Sequence, residues 1–71
     1  MSLYSFEIVD TIAHKHSFAK AAEVLNITPS AVSHAVNKLE KELNLQFFVR
    51  SRRGVALTKD GEQLLPYIHA I

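Results

Sequence analysis

Cysteine is absent from the chain, which excludes disulfides and thiolate metal sites and leaves a small core without a covalent staple. A chain of 71 residues has room for one domain and not for two separate cores. A core of this size rarely supplies more than about 3–5 kcal/mol, so a partner chain or a longer parent chain is expected to add stability. Missing thiols fit a reducing compartment. The first residues, Met-Ser-Leu-Tyr-Ser-Phe-Glu, carry no basic segment of the signal-peptide kind, and no apolar run approaches the roughly 18 residues of a membrane span. The chain therefore reads as cytoplasmic. Glycine and proline are scarce, two of each, against 48% hydrophobic and 21% charged residues, a balance that excludes a disordered tail. With Gly54 and Gly61 as the only glycines, a glycine-rich phosphate loop is excluded as well.

The formal net charge of +1 is too small to imply a nucleic-acid partner, but its distribution is uneven. Between Thr28 and Arg53 the cations are Lys38, Lys41, Arg50, Arg52 and Arg53 against Glu40 and Glu42, whereas the first ten residues carry Glu7 and Asp10. One part of the molecule is expected to be positive.

Helical spacing of Leu3, Phe6, Ile8, Val9, Ile12 and Ala13 predicts an amphipathic helix over residues 3–15, capped by Ser2 and closed at His14-Lys15-His16. Ser17 caps a short alanine-rich helix over 18–25, and Asn26, which tolerates the left-handed conformation, closes it. Thr28 before Pro29 is a start signal, because threonine caps and proline at the first helical position loses no hydrogen bond. The helix it opens runs to Leu43. Val32, Ala35, Val36, Leu39 and Leu43 make its apolar stripe, while Ser30, Ser33, His34, Asn37, Lys38 and Lys41 make a polar stripe without a carboxylate.

After Asn44, a fair cap, Leu45, Phe47 and Val49 alternate with Gln46, Phe48 and Arg50, which predicts a strand. Of Phe47 and Phe48, one is expected in the core and the other beneath the hairpin. The turn Ser51-Arg52-Arg53-Gly54 then returns through Val55-Ala56-Leu57, so a β-hairpin with arginines at its tip, a wing, spans about 46–57. Thr58 heads a further helix with Leu64, Leu65, Ile68 and Ile71 on its apolar edge, and Pro66 is expected to interrupt it by a kink or local weakening, although an exposed edge can tolerate a proline. Ala70-Ile71 bears no stop signal, which reads as truncation inside a longer helix.

A short helix, a tight turn and a longer helix with a cationic face over about 18–37 describe the helix-turn-helix, whose second helix enters the DNA major groove. Ser30, Ser33, His34 and Asn37 are the candidates for base edges. Lys38 and Lys41, with Ser17 and Lys20 at the start of the preceding helix, are candidates for phosphate. Arg50, Arg52 and Arg53 suit the backbone or a narrow minor groove. Catalysis has no foothold. Ser33 with His34 and Ser17 with His16 are adjacent in sequence, so neither pair forms a nucleophile and its base. His14 and His16 lack a nearby third ligand for a metal.

Ser17-Phe18 with Ala21-Ala22 and Leu25, Ser30-Ala31-Val32-Ser33, Leu39-Glu40 with Leu43, Phe48-Val49-Arg50, and Leu57-Thr58 with Gly61 follow one another in a fixed order. Through these motifs, from Ser17 to Leu65, the chain resembles the LysR-type transcriptional regulators. The resemblance implies a mainly α, winged helix-turn-helix fold: a three-helix core with a β-hairpin wing over residues 1–57, then the start of a linker helix over 58–71. It further implies an effector-binding domain that lies outside this chain, a small-molecule effector for the full-length protein, and no cofactor in this part. Double-stranded DNA is the implied partner, bound by a homodimer joined through the linker helix, with a tetramer possible in the full-length protein. The implied DNA contacts are Thr28, Pro29, Ser30, Ser33, His34, Asn37, Lys38, Arg50 and Arg53. Three residues depart from the family's pattern. His34 stands where arginine is frequent, Asn44 where glycine is usual, and Asp60 where a small residue commonly precedes Gly61. Two other readings share the fold: a different winged-helix regulator family, such as the multidrug-resistance type, and a winged helix that serves only as a protein-interaction module.

Overall fold

The computed structural model describes residues 3–70; the expected Ser2 cap and the contribution of Ile71 lie outside them. Four helices and one hairpin follow in the order α1 (Leu3–Lys15), α2 (Phe18–Leu25), α3 (Pro29–Leu43), β1 (Phe48–Ser51), β2 (Gly54–Leu57) and α4 (Lys59–Ala70). The three-helix core forms because each helix has an apolar stripe too wide to leave in water. Ile8, Val9 and Ile12 of α1, Ala21 and Ala22 of α2, and Val32, Val36 and Leu39 of α3 meet there, closed by Phe47, Phe48 and Ile68. The alanines on α2 let α1 and α3 approach closely.

Local chemistry sets the helix ends. Ser17 Oγ accepts the Lys20 N–H at 3.1 Å and Thr28 Oγ1 accepts the Ala31 N–H at 3.0 Å. Asn26 and Asn44 both close their helices in the left-handed conformation, at φ 58° and 54°. In each case the next residue's N–H returns to a carbonyl five residues back, Ile27 to Ala22 at 3.0 Å and Leu45 to Glu40 at 3.1 Å, the bonding of a Schellman cap. Asn44 thus fills the conformation expected of glycine. His16 is a third left-handed residue, at φ 57°, which local spacing alone did not indicate.

The strand prediction needs correction. Pairing begins at Phe48, opposite Leu57, and not at Leu45. The backbone before it is already engaged: the Glu40 carboxylate accepts the Phe47 N–H at 2.7 Å and the Phe47 carbonyl accepts the Thr58 N–H at 2.8 Å. Strict alternation fails with it. Phe47 and Phe48 are both buried while Val49 is 49% exposed, because Phe47 points into the core from a loop and only Phe48 obeys the pleat.

Between the strands Arg52 and Arg53 form a tight turn, and Gly54 takes the positive φ, 113°. A second anchor holds the wing to α1, since the His16 carbonyl accepts the Val55 N–H at 3.4 Å. Helix α4 runs unbroken through Pro66 to Ala70, contrary to the expected interruption; Pro66 is exposed, where the ring meets solvent and the lost hydrogen bond can be made up by water. Ile68 seats α4 against α1. At its start, Gly61 leaves no space for a side chain, because a Cβ there would lie 2.5 Å from the Phe47 carbonyl oxygen. No helix among the described residues is long and apolar enough to cross a membrane.

Candidate nucleic-acid interface

Helix α3 turns Val32, Val36 and Leu39 inward, which fixes what its other face shows. Thr28, Pro29, Ser30, His34, Asn37, Lys38 and Lys41 are all exposed and Ser33 is half-buried. The polar stripe is therefore continuous over the length of the helix. His34, Asn37, Lys38 and Lys41 line one shallow concavity with Asn44, Leu45 and Gln46. Glu40 borders it, half-buried, with its carboxylate turned back to the Phe47 N–H. That bond turns the Glu40 carboxylate away from the cationic stripe, while Glu42, exposed on the same helix, stays near Lys38.

On α2, Lys20 is exposed, whereas Ser17 is half-buried and its oxygen caps the helix. The hydroxyl hydrogen of Ser17 is still available to an incoming acceptor. The wing arginines separate into two kinds. Arg52 and Arg53 stand exposed at the tip, where the Ser51 hydroxyl accepts the Arg53 N–H at 3.3 Å and donates to the Gly54 carbonyl at 3.4 Å. Arg50, also exposed, folds back across the groove between wing and helices. Its guanidinium lies 3.9 Å from the centroid of the Phe18 ring and donates to Ser33 Oγ at 3.2 Å. A cation over an exposed ring contributes about 0.5–1 kcal/mol.

The structure thus brings Ser33, Arg50 and Asn37 to one notch, beside Phe18, Phe48 and Gln46, with His34, Lys38 and Lys41 continuing along the helix. Ser17, Lys20 and the wing tip flank this strip without entering it. Three participants escaped the sequence reading. Phe18, an apolar residue next to a cap, is the platform for Arg50. Gln46 supports the strand by donating to the Phe48 carbonyl at 2.9 Å, and Glu40 anchors the loop. Phe18 acts on a residue distant in sequence, Glu40 on an irregular loop and Gln46 on a strand carbonyl two residues on, and none of these contacts follows from helical or strand spacing.

His14 Nδ1 sits 2.8 Å from the Asp10 carbonyl oxygen, within its own helix. Among the described residues no group of three His, Asp or Glu could hold a metal ion.

Residues 3–62 match the family model described as bacterial regulatory helix-turn-helix protein, lysR family. The chain is 50% identical over 62 residues to the HTH-type transcriptional regulator DsdC of Escherichia coli (strain K12), covering 87% of this chain and 19% of that one. It is 46% identical over 67 residues to the HTH-type transcriptional activator AmpR of Citrobacter freundii, covering 94% and 23%. It spans about a fifth of the length of these regulators. Among solved structures, a Corynebacterium glutamicum OxyR C206S mutant, H2O2-bound, superposes with a TM-score of 0.94 at 36% identity, over 97% of this chain and 22% of that one. The BenM DBD in a complex with catB site 1 DNA also superposes at 0.94, with 30% identity, over 99% of this chain and 79% of that one.

Proposed function

Since the chain belongs to the lysR family of bacterial regulatory helix-turn-helix proteins, we propose that it is the DNA-reading head of a transcription regulator that acts on double-stranded DNA. The carrying observation is the exposed stripe of α3, polar and cationic from Ser30 to Lys41, with the Glu40 carboxylate turned away onto the Phe47 backbone. Such a helix presents donors to the base edges of a major groove and cations to the phosphates beside it. Ser30, Ser33, His34 and Asn37 serve the bases. Thr28, Pro29, Lys38, Lys41, Ser17 and Lys20 meet the backbone, and Arg52 and Arg53 reach it, or the minor groove, from the wing tip.

The similarity to a DNA complex of the BenM DBD supports this reading. Within it, residues 1–57 are the head and α4 begins a linker that joins two subunits, placing one α3 per subunit in successive major grooves about 34–36 Å apart. The parent protein is cytoplasmic and responds to a small-molecule effector bound outside this chain.

Titration of random-sequence duplex against the chain at several salt concentrations, read by fluorescence anisotropy, tests the proposal. The expected result is a steep fall of affinity with salt. Replacing Arg52 and Arg53 together by alanine should lower the slope of log K against log salt by about 2, the loss of two phosphate contacts. Failure to bind at low salt, by this chain and by a longer dimeric one, would overturn it in favour of a protein-interaction module.

A further inference from the structure

Arg50 is the wing residue whose surroundings match a phosphate contact least. Its guanidinium is stacked at 3.9 Å on Phe18 and bonded to Ser33 Oγ at 3.2 Å. The platform is itself fixed: the Phe18 ring meets the buried Phe48 ring edge-on, with centroids 5.7 Å apart and planes at 77°. A continuous line of contacts thus runs from the core through Phe48 and Phe18 to Arg50 and ends on one hydroxyl of α3.

The chemistry of that last contact has a sign. Arginine only donates, so the Ser33 oxygen must accept. A serine hydroxyl otherwise rotates freely between donating and accepting. Beside a guanidinium its oxygen points toward the cation and its hydrogen away from it, because the positive charge repels the positive end of the O–H dipole. Ser33 is then a committed donor toward whatever faces α3.

Resting on the DNA-reading proposal above, we infer that Arg50 is a specificity-determining positioning residue: it polarises Ser33 into a donor that selects base edges bearing acceptors. In the major groove guanine offers N7 and O6, adenine N7 and thymine O4, whereas cytosine offers only its amino donor. The chain therefore discriminates against cytosine at one position of the strand that Ser33 meets. Arg50 does this without touching DNA.

The experiment is selection from a randomised duplex pool followed by sequencing, with the native chain, Arg50→Ala, Arg50→Lys, Ser33→Ala and the double alanine variant. Total binding is measured by anisotropy and folding by thermal melting. The native chain should disfavour cytosine at one position by about five- to tenfold, a ratio suited to one directional hydrogen bond. Arg50→Ala and Ser33→Ala should each flatten that same position to about twofold or less, and the double variant should do no more than either, as two residues acting through one contact require. Arg50→Lys, which keeps a donor beside Ser33, should retain part of the preference.

An even loss of affinity across all sequences in Arg50→Ala, additive with Ser33→Ala and with the preference intact, would overturn the inference and make Arg50 a backbone contact. Should Arg50→Ala fail to fold, Arg50→Lys against Ser33→Ala carries the same decision. Absence of any duplex binding by the native chain is a different failure, that of the DNA reading itself.

Discussion

Helices α3 and α4 each begin behind a threonine whose hydroxyl accepts the N–H three residues on, Ala31 from Thr28 and Gly61 from Thr58, both at 3.0 Å. Among the described residues Thr28 bonds only within its own helix, and Pro29 and Ser30 after it are exposed. Thr58 does more. Its hydroxyl donates to the Gln46 carbonyl and its N–H donates to the Phe47 carbonyl at 2.8 Å. The same cap thus serves two purposes: at α3 it leaves the helix start open to another molecule, and at α4 it fastens the helix to the loop that leads into the wing. The difference lies in what surrounds the threonine and not in the threonine.

Substitutions at three positions would sharpen or break this contrast. Gly61→Ala should be the most damaging, since its methyl would fall 2.5 Å from the Phe47 oxygen. An overpacked contact against backbone costs about 2–3 kcal/mol, more than the intrinsic helix gain of alanine over glycine offsets. Thr58→Ala should follow at about 2 kcal/mol, the sum of a lost cap and a lost hydrogen bond, while Thr58→Ser should recover most of it. Thr28→Ala should cost about 1 kcal/mol, the cap alone. Urea denaturation followed by circular dichroism gives all three. Equal losses for Thr28→Ala and Thr58→Ala would show that the extra bonds of Thr58 contribute nothing and would end the comparison.

What could be read in advance follows the range of the forces involved. Ser17, Thr28, Asn26 and Asn44 act on residues within one turn of themselves, so the helix boundaries and the left-handed closures were legible. The apolar stripe of α3 was legible for the same reason, and with it the exposed face that complements it. The start of β1 was not. It is decided by a carboxylate at Glu40 reaching the Phe47 N–H seven residues on, which no two-residue period encodes. Arg50 shows the same limit: counting charge placed it on the wing, but its position over Phe18 depends on Phe48 and Arg50 meeting a ring some thirty residues earlier in the chain, a property of the assembled fold. For Pro66 the two outcomes, interruption or tolerance on an exposed edge, were both legible, but the choice rests on exposure, which is set by how α4 packs on α1.

The joint between α1 and α2 touches the wing through main-chain atoms: the His16 carbonyl receives the Val55 N–H, and a Cβ at Gly54 would lie 3.2 Å from that same oxygen. The bond uses no side-chain atom, so most replacements at 16 leave it in being, β-branched residues excepted because they resist the left-handed conformation, whereas Val55 also packs its half-buried side chain against the core. Adding or removing one residue between the two helices is another matter, because it displaces the carbonyl by about 3.8 Å, beyond the reach of any hydrogen bond. At this joint the molecule tolerates changes of spelling and is strict about length.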